Sequence, residues 1–314
     1  MHLGIDLGGT TCSFGLLDEN DVLTATSVIE TRQHDAPAVL LGRVAEAAQR
    51  LIEDNRAHVE AVGIGTPGPI KHREGICVVA PNLNGWVNLP VAPMLRERLG
   101  LPVYLLNDAN AAALGEARFG AGRGADDVLV VTLGTGIGSG LILDGKLRLG
   151  AQERGAEIGH ITVDINDKRG TAGNVGTLES VCGRDAIVWR ALRALTWGRD
   201  SLIHDICPNL NELTPRHIAL AAERGDDIAT RVWLETASYL AVGIVNVVFT
   251  ADVSRVVLAG GVAAAGDVLL LPLRRAVRAR TSKLHFDESQ IVMSTLGNRA
   301  GLLGAAAWAR EFAG

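Results

Sequence analysis

The sequence is short of aromatic residues, of cysteine and of any strong excess of charge, and each shortage removes a class of function. Aromatics make up 4% of the 314 residues, so the 47% hydrophobic share rests on Ala, Val, Leu and Ile. The four cysteines, Cys12, Cys77, Cys182 and Cys207, are scattered and form no C-x-x-C pair. That favours reduced structural thiols over a disulfide framework or a thiolate metal site. With 30 basic and 35 acidic residues the formal charge is −5, which gives no electrostatic ground for nucleic acid or an anionic membrane as partner. Apolar runs such as Val128 to Leu133 and Ile244 to Phe249 fall short of the ~18 residues of a membrane span, so no membrane segment is expected. The opening Met-His-Leu-Gly-Ile-Asp lacks a basic segment ahead of an apolar core, and the expected location is the cytoplasm.

Glycine is what the chain has in plenty, with 37 residues against a usual share of about 7%. It weakens helices and strands, and is kept where backbone turns sharply or approaches a ligand closely. At roughly 100 to 200 residues per domain, the length predicts about two domains. The first residues read as two strands around Gly8-Gly9-Thr10-Thr11. An amphipathic helix follows from Ala36 to Asp54, then a buried strand, Ala61 to Gly65, that runs into Thr66-Pro67-Gly68-Pro69. Ala92 to Leu99 reads as helix, Val103 to Leu106 as strand, and Asn107 onward as a helix of small residues. The alternation implies an α/β fold with a mostly parallel or mixed sheet. A shift of 126 places Leu7-Gly8 on Leu133-Gly134, Ser13 on Ser139 and Leu16-Leu17-Asp18 on Ile142-Leu143-Asp144. Coincidental hairpin chemistry accounts for so short a match. So does an internal repeat, which would give two lobes that open with the same hairpin. The polar, glycine-rich stretch from Gly120 to Asp127 reads as a loop near the lobe boundary.

Three glycine clusters end strand-like runs: Gly8-Gly9-Thr10, Gly134-Thr135-Gly136, and Gly260-Gly261. Taken singly each is a tight turn. Together, with backbone N–H groups and threonine hydroxyls free to close on phosphate oxygens, they favour a nucleotide, and Asp6 stands where a carboxylate could hold hydrated Mg²⁺. Two other phosphate motifs fail. Gly140-x4-Gly145-Lys146 is followed by Leu147 where a P-loop needs Ser or Thr, and Asp144-Gly145 reads as a hairpin turn. The glycines after Leu133 miss the dinucleotide spacing.

Asp108 lies at or beside the N-cap of its helix, and capping alone would explain it. A carboxylate held at a strand's C-terminal end could also accept a proton from a hydroxyl that attacks a phosphoryl group. Glu157 and His160 flank a glycine, and with Glu179 they gather the acceptors that bind polyhydroxylated ligands. A structural histidine bonded to backbone is the plain alternative. Asn82 adds an amide or serves as a turn residue.

The order D-x-G-G-T, G-T-P-G, P-N, N-D-A-N-A, L-G-T-G-I-G-x-G, G-A-E-I-G-H, L-E, A-G-G-V covers nearly the whole chain. In that order the motifs resemble the ROK family of sugar kinases and repressors, and within it the bacterial glucokinases. The resemblance implies an actin-like, hexokinase-type (ribonuclease H-like) α/β fold with two lobes around a cleft. It places residues 1–117 and 299–314 in a smaller N-terminal lobe and 118–298 in a larger one. It also implies an ATP- and Mg²⁺-dependent hexose kinase that phosphorylates the 6-hydroxyl of glucose and forms a homo-oligomer, dimer or tetramer. Asp108 is similar to the family's catalytic base. Gly68, Asn82, Asn107, Glu157, His160 and Glu179 resemble its sugar contacts, Gly8, Gly9, Thr10, Gly134, Thr135 and Gly136 its phosphate loops, and Gly260 with Gly261 its adenosine site.

One departure stands out. The family carries C-x-C-G-x-x-G-C-L-E and binds zinc through three cysteines and the histidine of G-H. Here Gly170, Ala172 and Thr177 take the cysteine positions, and one imidazole cannot hold a site that needs about four ligands. No zinc is expected, and either hydrogen bonds hold the loop or the sugar site is weakened. Other acceptors, namely fructose, mannose or an N-acetylhexosamine, share the same contacts. A sugar-sensing repressor would carry a helix-turn-helix ahead of the body, and Asp6 follows closely on Met1. The lost zinc ligands leave a non-catalytic sugar-binding relative as a third reading, against which the retained Asp108 argues.

Overall fold

The alternation of strand and helix resolves into two five-stranded sheets of the same pattern. The computed structural model describes residues 1–167, 169–170, 173–196 and 200–313. The first sheet has the order β3-β2-β1-β4-β8, with β1 His2–Leu7, β2 Thr11–Leu17, β3 Leu23–Glu30, β4 Ala61–Thr66 and β8 Val103–Asn107. Between its last two strands comes a small sheet of β5 Ile70–Lys71, β6 Ile76–Val79 and β7 Val87–Leu89. The second large sheet has the order β11-β10-β9-β12-β13, from β9 Val128–Leu133, β10 Ile137–Leu143, β11 Lys146–Leu147, β12 Arg255–Ala259 and β13 Ile291–Met293. In the first, β1–β2 and β2–β3 are antiparallel and β1–β4 and β4–β8 parallel. In the second, β10–β11 is antiparallel and β9–β12 and β12–β13 are parallel. The internal match therefore marks a repeated topology, since Leu133-Gly134 closes β9 as Leu7-Gly8 closes β1. The false P-loop is the β10–β11 turn, where Asp144 and Gly145 both have positive φ, 53° and 69°, as a type I′ hairpin demands.

Contacts divide the chain into two units: Met1–Gly124 with Gly140–Ala156 and Thr295–Gly314, and Ala125–Ser139 with Glu157–Ser294. In the first, helices α1 Pro37–Asp54, α2 Val91–Leu99, α3 Asp108–Phe119 and the C-terminal helix Ala300–Ala313 cover the sheet. The α1 pattern of Leu40, Leu41, Val44, Ala45, Ala48 and Leu51 is buried at helical spacing, as its periodicity predicts. The C-terminal helix lies against β1, β4 and α3, and glycine makes that seat. A Cβ on Gly4 would fall 2.1 Å from the Leu302 carbonyl oxygen, and one on Gly63 1.8 Å from that of Ala305. These two glycines pair side by side across β1 and β4. Glu116 of α3 is buried and accepts N–H bonds from Ala121 at 2.9 Å and Leu296 at 3.1 Å, which ties down the two stretches next to the unit boundaries.

In the second unit, α4 Leu178–Cys182, α5 Arg184–Leu195, α6 Ile203–Ile206, α7 Pro215–Glu223, α8 Asp227–Ala251 and α9 Asp267–Arg278 surround β9, β12 and β13. The run Ile244 to Phe249 belongs to α8, whose 25 residues make it long and apolar enough to cross a membrane by length and composition. Arg231 and Glu235 interrupt its apolar letters, so no unbroken apolar run of that size stands in the sequence. The helix packs against α4, α5, α7 and α9, and 56% of its most apolar window is buried in the protein. All four cysteines are free and buried. Burial pushes the Cys77 thiol up to about 11 and that of Cys182 to about 12, so both are protonated at neutral pH.

Candidate active site

In the first unit the expected residues gather at the carboxyl ends of three neighbouring parallel strands, the edge at which α/β sheets commonly bind ligands. Asp6 sits near the end of β1, paired with Gly65 of β4, and Asn107 ends β8, paired with Thr66. The helix cap falls to Asn107, whose Oδ1 accepts from the N–H groups of Ala109 at 2.9 Å and Asn110 at 3.1 Å. Its Nδ2 donates to Gly68 O at 3.1 Å and Asp108 Oδ1 at 3.0 Å. Both acceptor positions and both donors of this amide are thereby used, and Asn107 is above all a clamp on Asp108. Gly68, with φ +90° and Val79 O only 1.9 Å from where its Cβ would stand, can only be glycine there.

The N-cap itself is Asn107, and Asp108 stands in the first turn of the helix. Its Oδ1 is fixed by Asn107 and by the Ala109 N–H at 2.8 Å. Among the described residues Oδ2 has no hydrogen-bond partner. Burial raises the pKa of Asp108, offset in part by the Ala109 and Asn107 bonds. Burial, with the Asp108 charge added, lifts Asp6 to about 7. Two carboxylates left in mutual repulsion at one strand edge form a natural seat for a cation. Asn82 stands apart, exposed on the turn between β6 and β7, and no hydrogen bond joins it to this cluster among the described residues.

The second unit holds the other expected residues. Gly134 N–H donates to Gly136 O at 2.9 Å, and Gly134 O accepts from Arg184 N–H at 3.0 Å. The turn around Thr135 is tight and its neighbours are ordered. Glu179, in the first turn of α4, accepts the Ile137 N–H through Oε2 at 2.9 Å, so the carboxylate lies directly under the loop. Glu157 is exposed and His160 half-buried at either end of a 3-10 turn. That turn docks through Ile158 N–H on the buried Ser139 Oγ at 3.1 Å. Val262 N–H reaches Leu133 O at 3.0 Å, placing Gly260 and Gly261 beside the strand that leads to Gly134.

The glycines of the three clusters fall into two kinds. A Cβ on Gly8 would meet Thr11 O at 3.2 Å, one on Gly136 the Glu179 carboxylate at 2.3 Å, and one on Gly260 Leu133 O at 2.4 Å. Of these, Gly260 is held to glycine by its φ of +89° and a main-chain oxygen, whereas the Gly8 contact needs its neighbour to give by a few tenths of an ångström and the Gly136 contact is the end of a side chain. Gly9 and Gly261 have no atom within 4 Å of such a Cβ, and Gly134 only one at 3.8 Å; none of the three adopts a left-handed φ. Neither backbone strain nor packing explains them.

At the zinc-loop positions, Gly170 and Thr177 are described and Ala172 lies outside the described residues. Thr177 is fully buried and caps α4 by accepting from the Ser180 N–H at 3.2 Å. A Cβ on Gly170 would overlap Asn174 O at 1.7 Å, so the loop has folded around a missing side chain. Among the described residues no three His, Cys, Asp or Glu side chains converge on one point, and the donors present do not fit zinc. Hydrogen bonds hold the loop. Asn174 Nδ2 donates to His160 O at 2.8 Å, Thr162 Oγ1 to Val175 O at 3.1 Å, and the Gly176 N–H to Arg169 O at 2.6 Å. Sequence reading missed Asn107 as the clamp and Thr177 as the cap. An N-D pair at a strand-to-helix junction, and a Thr three residues ahead of Ser180, were the available signals.

Comparison with known proteins agrees with this arrangement. The ROK family model matches residues 2–312. A glucokinase of Thermotoga maritima is 34% identical over 309 residues, 98% of this chain and 97% of that one. Among solved structures, a ROK hexokinase from Thermus thermophilus superposes with a TM-score of 0.82 at 32% identity, covering 98% of this chain and 97% of its own. A ROK family glucokinase from Streptomyces griseus, solved with glucose and AMPPNP, gives 0.80 at 33% identity over 99% of both chains. The fold is accordingly the actin-like, hexokinase-type one, and the chain belongs to the ROK family.

Proposed function

We propose that the protein is an ATP-dependent hexose kinase that phosphorylates the 6-hydroxyl of glucose. The observation that carries this reading is the Asp108 carboxylate, with one oxygen clamped by Asn107 and Ala109 and the other open. A raised pKa makes such an oxygen a better proton acceptor than an ordinary carboxylate. The sugar hydroxyl gives its proton to Asp108 Oδ2 while its oxygen bonds to the γ-phosphorus. The bond from that phosphorus to the β-phosphate oxygen breaks, and ADP leaves with the electron pair.

Glu157, His160 and Glu179 would hold sugar hydroxyls, with Asn82 and the main chain at Gly68. Asn107, its amide already spent, orients the base. The open main chain at Gly9 and Gly261 would receive nucleotide oxygens, helped by the Thr10 and Thr135 hydroxyls, with Gly134 and Gly136 shaping the turn. Mg²⁺ would sit on Asp6 through water, where its charge offsets the carboxylate pair and the phosphates. The glucose and AMPPNP bound by the Streptomyces griseus relative support both substrate classes.

The test is ADP release over a panel of glucose, mannose, fructose and N-acetylglucosamine, with the parent and with Asp108→Asn. Glucose should be the fastest acceptor, and Asp108→Asn should lose about 10²- to 10⁴-fold in kcat, the usual weight of a general base. Turnover of none of these sugars, or an undiminished Asn variant, overturns the reading.

A further inference from the structure

A further cavity lies in the second unit, and none of the residues assigned above to the kinase site lines it. One face of α8, carrying Arg231, Val232, Glu235 and Tyr239, and the Trp189–Arg193 stretch of α5 wall a cavity of about 910 Å³, together with Asp164, Asn166, Asp167 and Arg169 of a loop. The loop is pinned to the walls at both ends. Tyr239 Oη donates to Asp164 Oδ2 at 2.9 Å, and the Arg169 guanidinium lies 4.5 Å above the Trp189 ring. None of the proposed catalytic residues touches this space.

The lining carries four guanidinium groups against three carboxylates, Asp164, Asp167 and Glu235. Two guanidiniums are spent. Arg190 bonds Glu235 Oε1 at 2.8 Å, Thr236 Oγ1 at 2.9 Å and Val181 O at 2.8 Å. Arg169 forks onto Asp167, with Nε 3.0 Å from both oxygens. Arg193 only stacks at 5.4 Å on Trp189. Among the described residues neither it nor Arg231 has a carboxylate or carbonyl partner. Two planar forks left without an acceptor on one cavity wall suit an oxyanion with several oxygens, which guanidinium binds in bidentate fashion. Trp189, 46% exposed, adds a flat apolar surface, and Asn166 and Glu235 add groups for hydroxyls. A bare anion would leave these unused, and a neutral sugar would leave the arginines unpaired.

We propose that this cavity binds the phosphate monoester of a sugar or similar polyol, with the phosphate on Arg193 and Arg231 and the carbon skeleton against Trp189. The site is additional to the kinase reading and does not depend on it. Its occupant can act at a distance, because Arg169 and Trp189 also line a neighbouring cavity of about 330 Å³ that includes Thr135 and Glu179. A ligand that shifts this stacked pair alters the wall beside the phosphate loop.

The test is hydrogen–deuterium exchange with glucose 6-phosphate, and with glucose and inorganic phosphate as separate arms, on the parent and on Arg193→Glu/Arg231→Glu. Both arginines are exposed, and Arg193→Gln/Arg231→Gln serves should the charge reversal unfold the chain. Glucose 6-phosphate should slow exchange in Arg184–Leu195 and in the first half of α8. The double variants should lose that protection and bind at least tenfold more weakly at this site by calorimetry, while keeping any protection near Asp108. Equal protection by inorganic phosphate or by glucose, protection confined to peptides around Asp108 and Gly134, or unchanged affinity in the variants would overturn the proposal.

Discussion

Replacing Gly63 with alanine adds one methyl group and should be among the costliest single changes in the first unit. Gly63 lies in β4, a central strand with β1 on one side and β8 on the other, and its new Cβ would point at the Ala305 carbonyl oxygen from 1.8 Å. Contact at 3.0–3.4 Å already forces a neighbour to give by a few tenths of an ångström. Here the obstacle is main chain on both sides, so no side chain can swing away. Either the strand must break register with β1 and β8, or the C-terminal helix must lift from the sheet and expose Leu302, Ala305, Ala306 and Ala309, all now buried. Overpacking typically costs about 1–3 kcal/mol, and with no soft neighbour the upper end, about 3 kcal/mol, is the fair expectation. At roughly 2–4 °C per kcal/mol for a unit of this size, the midpoint should fall by about 6–12 °C in differential scanning calorimetry. Gly42 supplies the control. It lies inside α1 with nothing within 4 Å of a Cβ, and Gly42→Ala should gain about 0.5–1 kcal/mol from helix propensity alone. A Gly63→Ala protein that melts within about 2 °C of the parent would refute the glycine seat.

Three further outcomes follow from the site. Burial, with the Asp108 charge added, lifts Asp6 to about 7 in the folded chain, against 3.8 for an ordinary Asp carboxyl. Below about pH 4 both states are protonated; between there and pH 7 only the folded state keeps the proton, so its stability falls as pH rises, and above pH 7 the penalty is complete. Asp6→Asn should thus raise stability at pH 8, by up to about 4 kcal/mol at 1.36 kcal/mol per pKa unit, and with it the melting midpoint, and leave both unchanged near pH 4; a uniform shift across pH would contradict the buried-charge account. Asn107→Ala should lose about 1 kcal/mol with the cap and roughly tenfold in kcat, whereas Asn107→Ser keeps the cap but not the amide donor to Asp108. Stability restored without activity in the Ser variant separates clamp from cap, and full activity in both would remove Asn107 from the mechanism. Dialysis against a chelator should leave both the melting midpoint and the loop unchanged, and elemental analysis that finds about one zinc per chain would overturn the hydrogen-bonded account of residues 160–178.

How far the sequence could be read depended on how local each signal was. Hairpin turns, the α1 periodicity and the Pro-Gly interruption after β4 are local, and each appears where the residues predict it. The repeat was legible for the same reason, since a strand, a glycine turn and an acidic turn recur within a few residues. What escaped needed a partner far along the chain. Nothing local marks Gly4 and Gly63, because their reason, the Leu302 and Ala305 carbonyls, lies some 240 or more residues later. The glycine excess was therefore assigned too readily to ligand loops, and part of it belongs to a packed helix. The site shows the same division. That Asp108 stands at a strand-to-helix junction was visible in the letters. That Asn107 takes over the cap, and leaves one Asp108 oxygen without a hydrogen-bond partner among the described residues, turns on a one-residue difference in helix start that spacing cannot resolve. The missing zinc cysteines were legible letter by letter, but their consequence was not: glycine at position 170 lets Asn174 O occupy the space of a side chain. The loop has closed over the vacancy, and a single cysteine put back at that position would meet main chain before it could meet a metal.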